Sequence, residues 1–239
     1  MLILTLKLLF AHLLGDFVLQ PDHWVKSKRE SKIRSPFLYG HMLVHTAALF
    51  LVLGFKERYF IAIWLIILLH FIIDTAKLYL LRKKNQRILF FVDQLLHVLI
   101  ILAVTYLYYP DKLEWDTYLT PELLALGCAV LLLTSFSSIA MKVLISKWKP
   151  KEEKALKNAG KYIGMLERLF IFGFIVIDFW QGIGFLLAAK SIFRFGDLTN
   201  AKDRNLTEYI LIGTLLSFGL AILIAQGYLL LLDVLGRAV

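Results

Sequence analysis

The chain has 239 residues, of which 59% are hydrophobic, with a mean hydropathy of +0.71 and a formal net charge of +9. Soluble domains carry about 45–50% apolar residues, so this composition excludes an ordinary water-soluble fold and leaves an integral membrane protein. Nor does the positive charge indicate a nucleic-acid partner, because the basic residues gather in short segments between apolar runs, the pattern of membrane topology.

Apolar runs at 2–20, 37–55, 59–81, 88–109, 121–146, 162–193 and 207–234 predict an all-α membrane bundle of about six to seven spans. Phe37 to Phe55, Leu123 to Met141 and Tyr209 to Leu232 contain no Asp, Glu, Lys or Arg and do not alternate, so they read as helices and not as barrel strands. Residues 1–20 have no basic segment before the apolar stretch and no small-residue cleavage site after it; they read as a first span rather than a removable signal. Asp22 is expected to N-cap a short interfacial helix that starts after Pro21, with Trp24 and Val25 facing lipid and the lysines facing anionic headgroups. His23 reads there as a surface residue. The single Cys128, within an apolar run, reads as a packing residue and excludes a disulfide framework.

The connection 21–36 carries Lys26, Lys28, Arg29, Lys32 and Arg34; the turn 82–87 carries Arg82, Lys83, Lys84 and Arg87. Segment 147–161 carries Lys147, Lys149, Lys151, Lys154, Lys157 and Lys161. The alternate connections hold only Lys56, Arg58 and Lys112, and 110–122 is acidic through Asp111, Glu114, Asp116 and Glu122. The positive-inside rule therefore places these basic segments in the cytoplasm and the N-terminus outside, the expectation for a cell-membrane protein. A fourth basic cluster, Lys190, Arg194, Lys202 and Arg204, begins at the end of 162–193, so both flanks of that run point to the cytoplasm. The run is too short for two full crossings of ~20 residues, and Asp178, Gln181, Gly182 and Gly184 interrupt its middle. A re-entrant or broken helical segment is the expectation, tolerated only where protein or a water-filled cavity surrounds it.

Five of the six histidines lie in the first four runs, each four residues from another His or an Asp: His12 and Asp16, His41 and His45, His70 and Asp74, Asp93 and His97. Positions i and i+4 share a helix face. Counted from each basic edge, His12, His45, His70 and His97 fall at about 12–16 Å depth, and Asp16, His41, Asp74 and Asp93 at about 6–10 Å. Two stacked layers in a four-helix bundle over 1–110 are predicted, with 111–239 as a second region. Intramembrane ionisable groups are costly and face the bundle interior; alone, one such Asp pairs with a Lys such as Lys77. Imidazoles with carboxylates and no thiolate suit a divalent metal, zinc favoured, with manganese, iron or nickel in the same class. Eight donors exceed one tetrahedral sphere, so two ions or outer orienting groups are implied. A second polar group, Glu167, Arg168, Lys190 and Arg194, reads as a site for a phosphate or lipid headgroup, or as snorkelling topology signals.

The segments Ala11 to Asp22 (AHLLGDFVLQPD), His41 to His45 (HMLVH), His70 to Asp74 (HFIID) and Asp93 to His97 (DQLLH) resemble a family of bacterial polytopic membrane proteins catalogued as domain of unknown function 3307. The resemblance covers roughly residues 2–110, and Ile163 to Arg168 with Ala188 to Phe195 is similar to longer members. It implies a membrane bundle and no activity. A fainter similarity of style links the helices to membrane-bound metal-dependent hydrolases, with no motif from which roles transfer.

The functional expectation is a membrane-embedded metal-dependent hydrolase. It would act from the cytoplasmic side on a lipid-borne or amphipathic phosphate or ester, with a carboxylate outside the ligand set as general base. The alternative is a metal-ion or proton transporter using the His/Asp column, with 162–193 as a gate.

Overall fold

A computed structural model describes residues 1–82, 84–108, 119–148, 158–192 and 201–237, with backbone only at 201–205 and 237. Every element among the described residues is helical. Among the described residues, five helical segments are long and apolar enough to cross a membrane: Pro36–Leu53, Glu57–Leu80, Gln86–Leu107, Pro121–Lys147 and Leu206–Gly236. Leu2–Phe17 makes a sixth if joined to Asp22–Arg34, from which it is bent by 79°. The outside of these helices is apolar, with Leu43 and Leu51 each 70% exposed and Ile61 75%, while histidines and aspartates lie inside. That inverted arrangement suits a hydrocarbon surround.

The chain divides into two units, Met1–Cys128 and Ala129–Val239. The expected boundary at 110 falls among residues 109–118, outside those described.

In the first unit, α1 (Leu2–Phe17), α3 (Pro36–Leu53), α4 (Phe60–Leu80) and α5 (Gln86–Leu107) form a four-helix ring in that order. Local chemistry sets the corners. Pro36 opens α3 at its first position, where its missing N–H costs nothing, and Gly54 closes it at φ +72°. Between α4 and α5 the Asn85 side chain accepts from the Arg82 N–H (2.7 Å) and donates to the Leu80 carbonyl (2.9 Å). The half of the ring away from the basic turn is filled by Leu8, Leu49, Val52, Ile63, Ile101 and Val104, with Ala11, Ala48 and Ala62 letting the helices approach.

Helix α2 (Asp22–Ser31) lies at the basic end and corrects two expectations. Pro21 holds the cap position in extended geometry, and Asp22, the first helical residue, makes no cap hydrogen bond. Its charge still complements the helix N-terminus. Trp24 is half-buried, stacked on Phe37 at 5.5 Å and lying over Gly40. Lys28 does not face headgroups but turns inward, 5% exposed. His23 is exposed, as expected.

In the second unit, α6 (Pro121–Leu131), which carries the boundary, runs through a π-helical turn at Leu132–Phe136 into α7 (Ser137–Leu144). Then come α8 (Ala159–Val176), α9 (Trp180–Ile192) and α10 (Ala201–Arg237). Leu133, Ile171, Ile175, Phe218, Ala221 and Ala225 form the core. The run 162–193 is broken as expected. Asp178 takes a left-handed conformation, φ +57°, and its carboxylate accepts from Trp180 Nε1 at 3.0 Å. A Cβ at Gly182 would meet the rings of Phe174 and Phe179 at 2.8 Å, so glycine allows the tight return. Glu167 on α8 meets Lys190 on α9 at 2.7 Å, on either side of the break. The segment is therefore a helical hairpin, and an α9 arm of 13 residues spans only about 20 Å.

Candidate functional site

The ring turns each i, i+4 pair of α1, α3, α4 and α5 inward, and all eight His and Asp side chains meet in one buried cluster, none more than 9% exposed. Asp16 is its hub. As an acceptor-only carboxylate, its Oδ1 lies 3.0 Å from His45 Nε2, 3.2 Å from His41 Nε2 and 3.6 Å from His70 Nε2. Its Oδ2 lies 3.9 Å from His12 Nε2. Each facing nitrogen therefore carries a hydrogen or shares a cation with the carboxylate.

Four imidazoles, His12, His45, His70 and His97, line a cavity of about 10 Å³ with Leu8, Leu49, Ile66, Ile100 and Ile101. That volume admits about one water or ion. The rings pack closely, with centroids 4.1 Å apart for His45 and His70 and for His70 and His97, and 5.0 Å for His12 and His97. Toward the basic end lie Asp16, His41, Asp74 and Asp93. The levels interleave, since His41 Nε2 reaches within 3.3 Å of His70 Nε2.

His97 has a defined tautomer. Its Nδ1 donates to the Asp93 backbone carbonyl at 2.8 Å, so Nε2 carries the lone pair, and this buried atom has no hydrogen-bond partner among the described residues. Metal-ligating histidines are oriented in this way. Asp93 Oδ1 is likewise buried and without a partner. Three sets place one ligand atom per residue within 4.8 Å of one another: His12, Asp16, His45 and His70; His41, His70 and Asp74; and Asp74, Asp93 and His97.

Five further residues complete the cluster. Lys28 Nζ donates to Asp74 Oδ2 at 3.0 Å and Lys77 Nζ to Asp93 Oδ2 at 2.5 Å. Lys77 was legible as a partner for an intramembrane Asp, but Lys28 read as a topology charge. Gln94 accepts from His12 Nε2 at 3.3 Å and donates to Asp16 Oδ2 at 3.2 Å and Asp93 Oδ2 at 3.0 Å, tying three members together. The Gln20 amide lies 2.9 Å from the ring nitrogens of His41. At Gly15 an added Cβ would stand 2.4 Å from the His45 ring, so only glycine lets α3 bring that imidazole to Asp16.

Of the second polar group, Glu167, Arg168 and Lys190 are placed among the described residues. Glu167 and Lys190 pair with each other. Arg168 is 2% exposed and donates to the Leu133 carbonyl, Ser217 Oγ (3.0 Å) and Ser138 Oγ (2.9 Å). It thereby serves a carbonyl within the π-turn, where the regular helix ladder is shifted. Arg194 lies outside the described residues.

A protein family described as of unknown function, DUF3307, matches residues 4–126. The chain belongs to this family. The matched span is nearly the whole first unit, so the family's sequence signal and the His/Asp cluster coincide. No curated protein and no solved structure matches the chain.

Proposed function

We propose that the first unit is a membrane-embedded metal centre, holding one divalent ion, zinc favoured, through Asp16, His45 and His70, with His12 beside its open position. The hydrolysis of an anionic, lipid-borne or amphipathic phosphate or ester, reached from the cytoplasmic side, is the activity proposed for it. The observation that carries the reading is the set of Asp16 distances to His45, His70 and His12, 3.0, 3.6 and 3.9 Å. A tetrahedral ion with bonds of about 2.0–2.1 Å has ligand–ligand edges of about 3.3 Å, so modest closure around Asp16 lets Asp16, His45 and His70 hold it, with the fourth position, beside His12, open for water.

Two further observations favour hydrolysis over transport. Leu8, Leu49, Ile66, Ile100 and Ile101 cap the imidazole cavity, so the polar cluster is approached from the basic end and does not continue as a polar column. Charge supplies the second. Asp74 pairs with Lys28 and Asp93 with Lys77, which leaves the single negative charge of Asp16, and a divalent ion turns this into one positive charge in a low-dielectric surround. Such a site takes an anionic ligand. The bound ion would polarise a water and a substrate oxygen; Gln94 and His41 would hold Asp16 and His12 in place, and the apolar cap would exclude bulk water.

Protein purified without chelators and analysed by metal mass spectrometry should carry about one ion per chain, and the absence of metal would overturn the reading. With metal present, hydrolysis of bis(p-nitrophenyl) phosphate or p-nitrophenyl butyrate in micelles supports the enzyme. Metal flux in proteoliposomes without hydrolysis would replace it with the transporter.

A further inference from the structure

Asp74, Asp93 and His97 are not needed by the ion proposed above, yet they form a ligand group of their own, with one atom from each within 4.8 Å of the others. Two carboxylates this close in a bilayer interior demand cations. The chain provides them as tethered ammoniums, and the two differ. Lys28 is held on α2 with its side chain 6% exposed, whereas the Lys77 side chain on α4 is 29% exposed, with one side open to the surround. Lys77 also serves Asp93 incompletely. It binds Oδ2, while Oδ1 stays buried with no hydrogen-bond donor among the described residues. A divalent ion can engage both oxygens of a carboxylate together with an imidazole, which an ammonium cannot match.

We infer that Asp74, Asp93 and His97 form a second divalent-cation site, which Lys77 fills with its own ammonium and yields when a phosphate monoester accompanies the ion. This rests on the metal reading above and gives its substrate class. With Lys77 withdrawn, three carboxylates and Lys28 leave two negative charges; two divalent ions reverse this to two positive, which a phosphate monoester dianion neutralises. Two ions about 3.5–4 Å apart would clamp such a group. The second ion and the phosphate therefore bind with mutual reinforcement, each raising the other's affinity by the same factor.

The test is Mn(II) titration of the full chain in detergent, followed by electron paramagnetic resonance and metal counting, with and without inorganic phosphate. Wild type should bind one ion alone and a second, spin-coupled to the first, when phosphate is present. Lys77→Met should take up the second ion without phosphate, at least about 10-fold more tightly than wild type, and Asp93→Asn should stop at one ion under both conditions. A wild type that stays at one ion with phosphate, or a Lys77→Met variant that gains none, overturns the second site while leaving the first standing. No bound ion in any protein overturns both. If Asp93→Asn does not fold, the spin coupling in wild type and Lys77→Met still decides.

Discussion

Gly15→Ala separates two opposing effects of known size. Alanine in place of an interior glycine stabilises a helix by about 1 kcal/mol, an upper bound for Gly15 in the last turn of α1, and by that measure the substitution should raise stability. The new Cβ, however, would lie 2.4 Å from His45 Cε1 and Nε2 and 2.8 Å from Cδ2. Ordinary carbon contacts are about 3.5–4.0 Å, so the ring must retreat by about 1 Å or the helices must part. Overpacking of this kind costs about 1–3 kcal/mol, which cancels or exceeds the helical gain. The loss in the site is larger, because the same ring makes the 3.0 Å approach to Asp16. Metal binding should weaken by at least about 100-fold, the upper end for loss of an orienting partner, or about 2.8 kcal/mol. Competition with a chromophoric zinc chelator measures the affinity, and thermal unfolding in detergent measures the stability. A Gly15→Ala protein that is about 1 kcal/mol more stable with undiminished affinity would refute the argument that the α1–α3 approach builds the site.

Lys28→Met should destabilise the first unit by about 3–5 kcal/mol, because it strands a buried Asp74 charge. Combining it with Asp74→Asn should recover most of that loss in a double-mutant cycle by chemical denaturation, and additive losses would show that the pair is not coupled. Gln94→Ala should leave the fold intact but weaken metal binding by about 10–100-fold, since one amide ties His12, Asp16 and Asp93 together; unchanged affinity would remove Gln94 as a positioning residue. For topology, cysteines placed at Glu57 and Lys84 should label from opposite sides of the membrane, and cysteines at Asn158 and Ile192 from the same side, as the α8–α9 hairpin requires. Opposite labelling of the latter two would establish a full crossing in that segment.

Much of this architecture was legible because a bilayer limits where ionisable groups can go. Once His12, Asp16, His41, His45, His70, Asp74, Asp93 and His97 are denied a lipid-facing position, their i, i+4 spacing gives the inward face of each helix, and the alternating chain direction gives their level. The break in 162–193 was legible for a related reason, because basic flanks and a polar middle conflict with a single crossing. What stayed hidden depends on tertiary approach. Lys28 looked like a topology signal because the 79° bend that turns α2 over the basic end has no signature in sequence. Gln20 and Gln94 are neutral and carry no depth penalty large enough to single them out. Gly15 acquires meaning only with the distance to the facing helix. Arg168 read as an interfacial cation, whereas a π-turn at Leu132–Phe136, invisible in composition, draws its guanidinium inward.

Metal content tests the central claim most directly. Wild type and the Asp16→Asn, His45→Ala and His70→Ala variants, purified side by side without chelator and matched for fold by circular dichroism, should be compared with His23→Ala, whose ring lies exposed on α2. The account predicts about one ion per chain in wild type and His23→Ala and essentially none in the other three. Equal metal content in all five, or none in wild type, would contradict it.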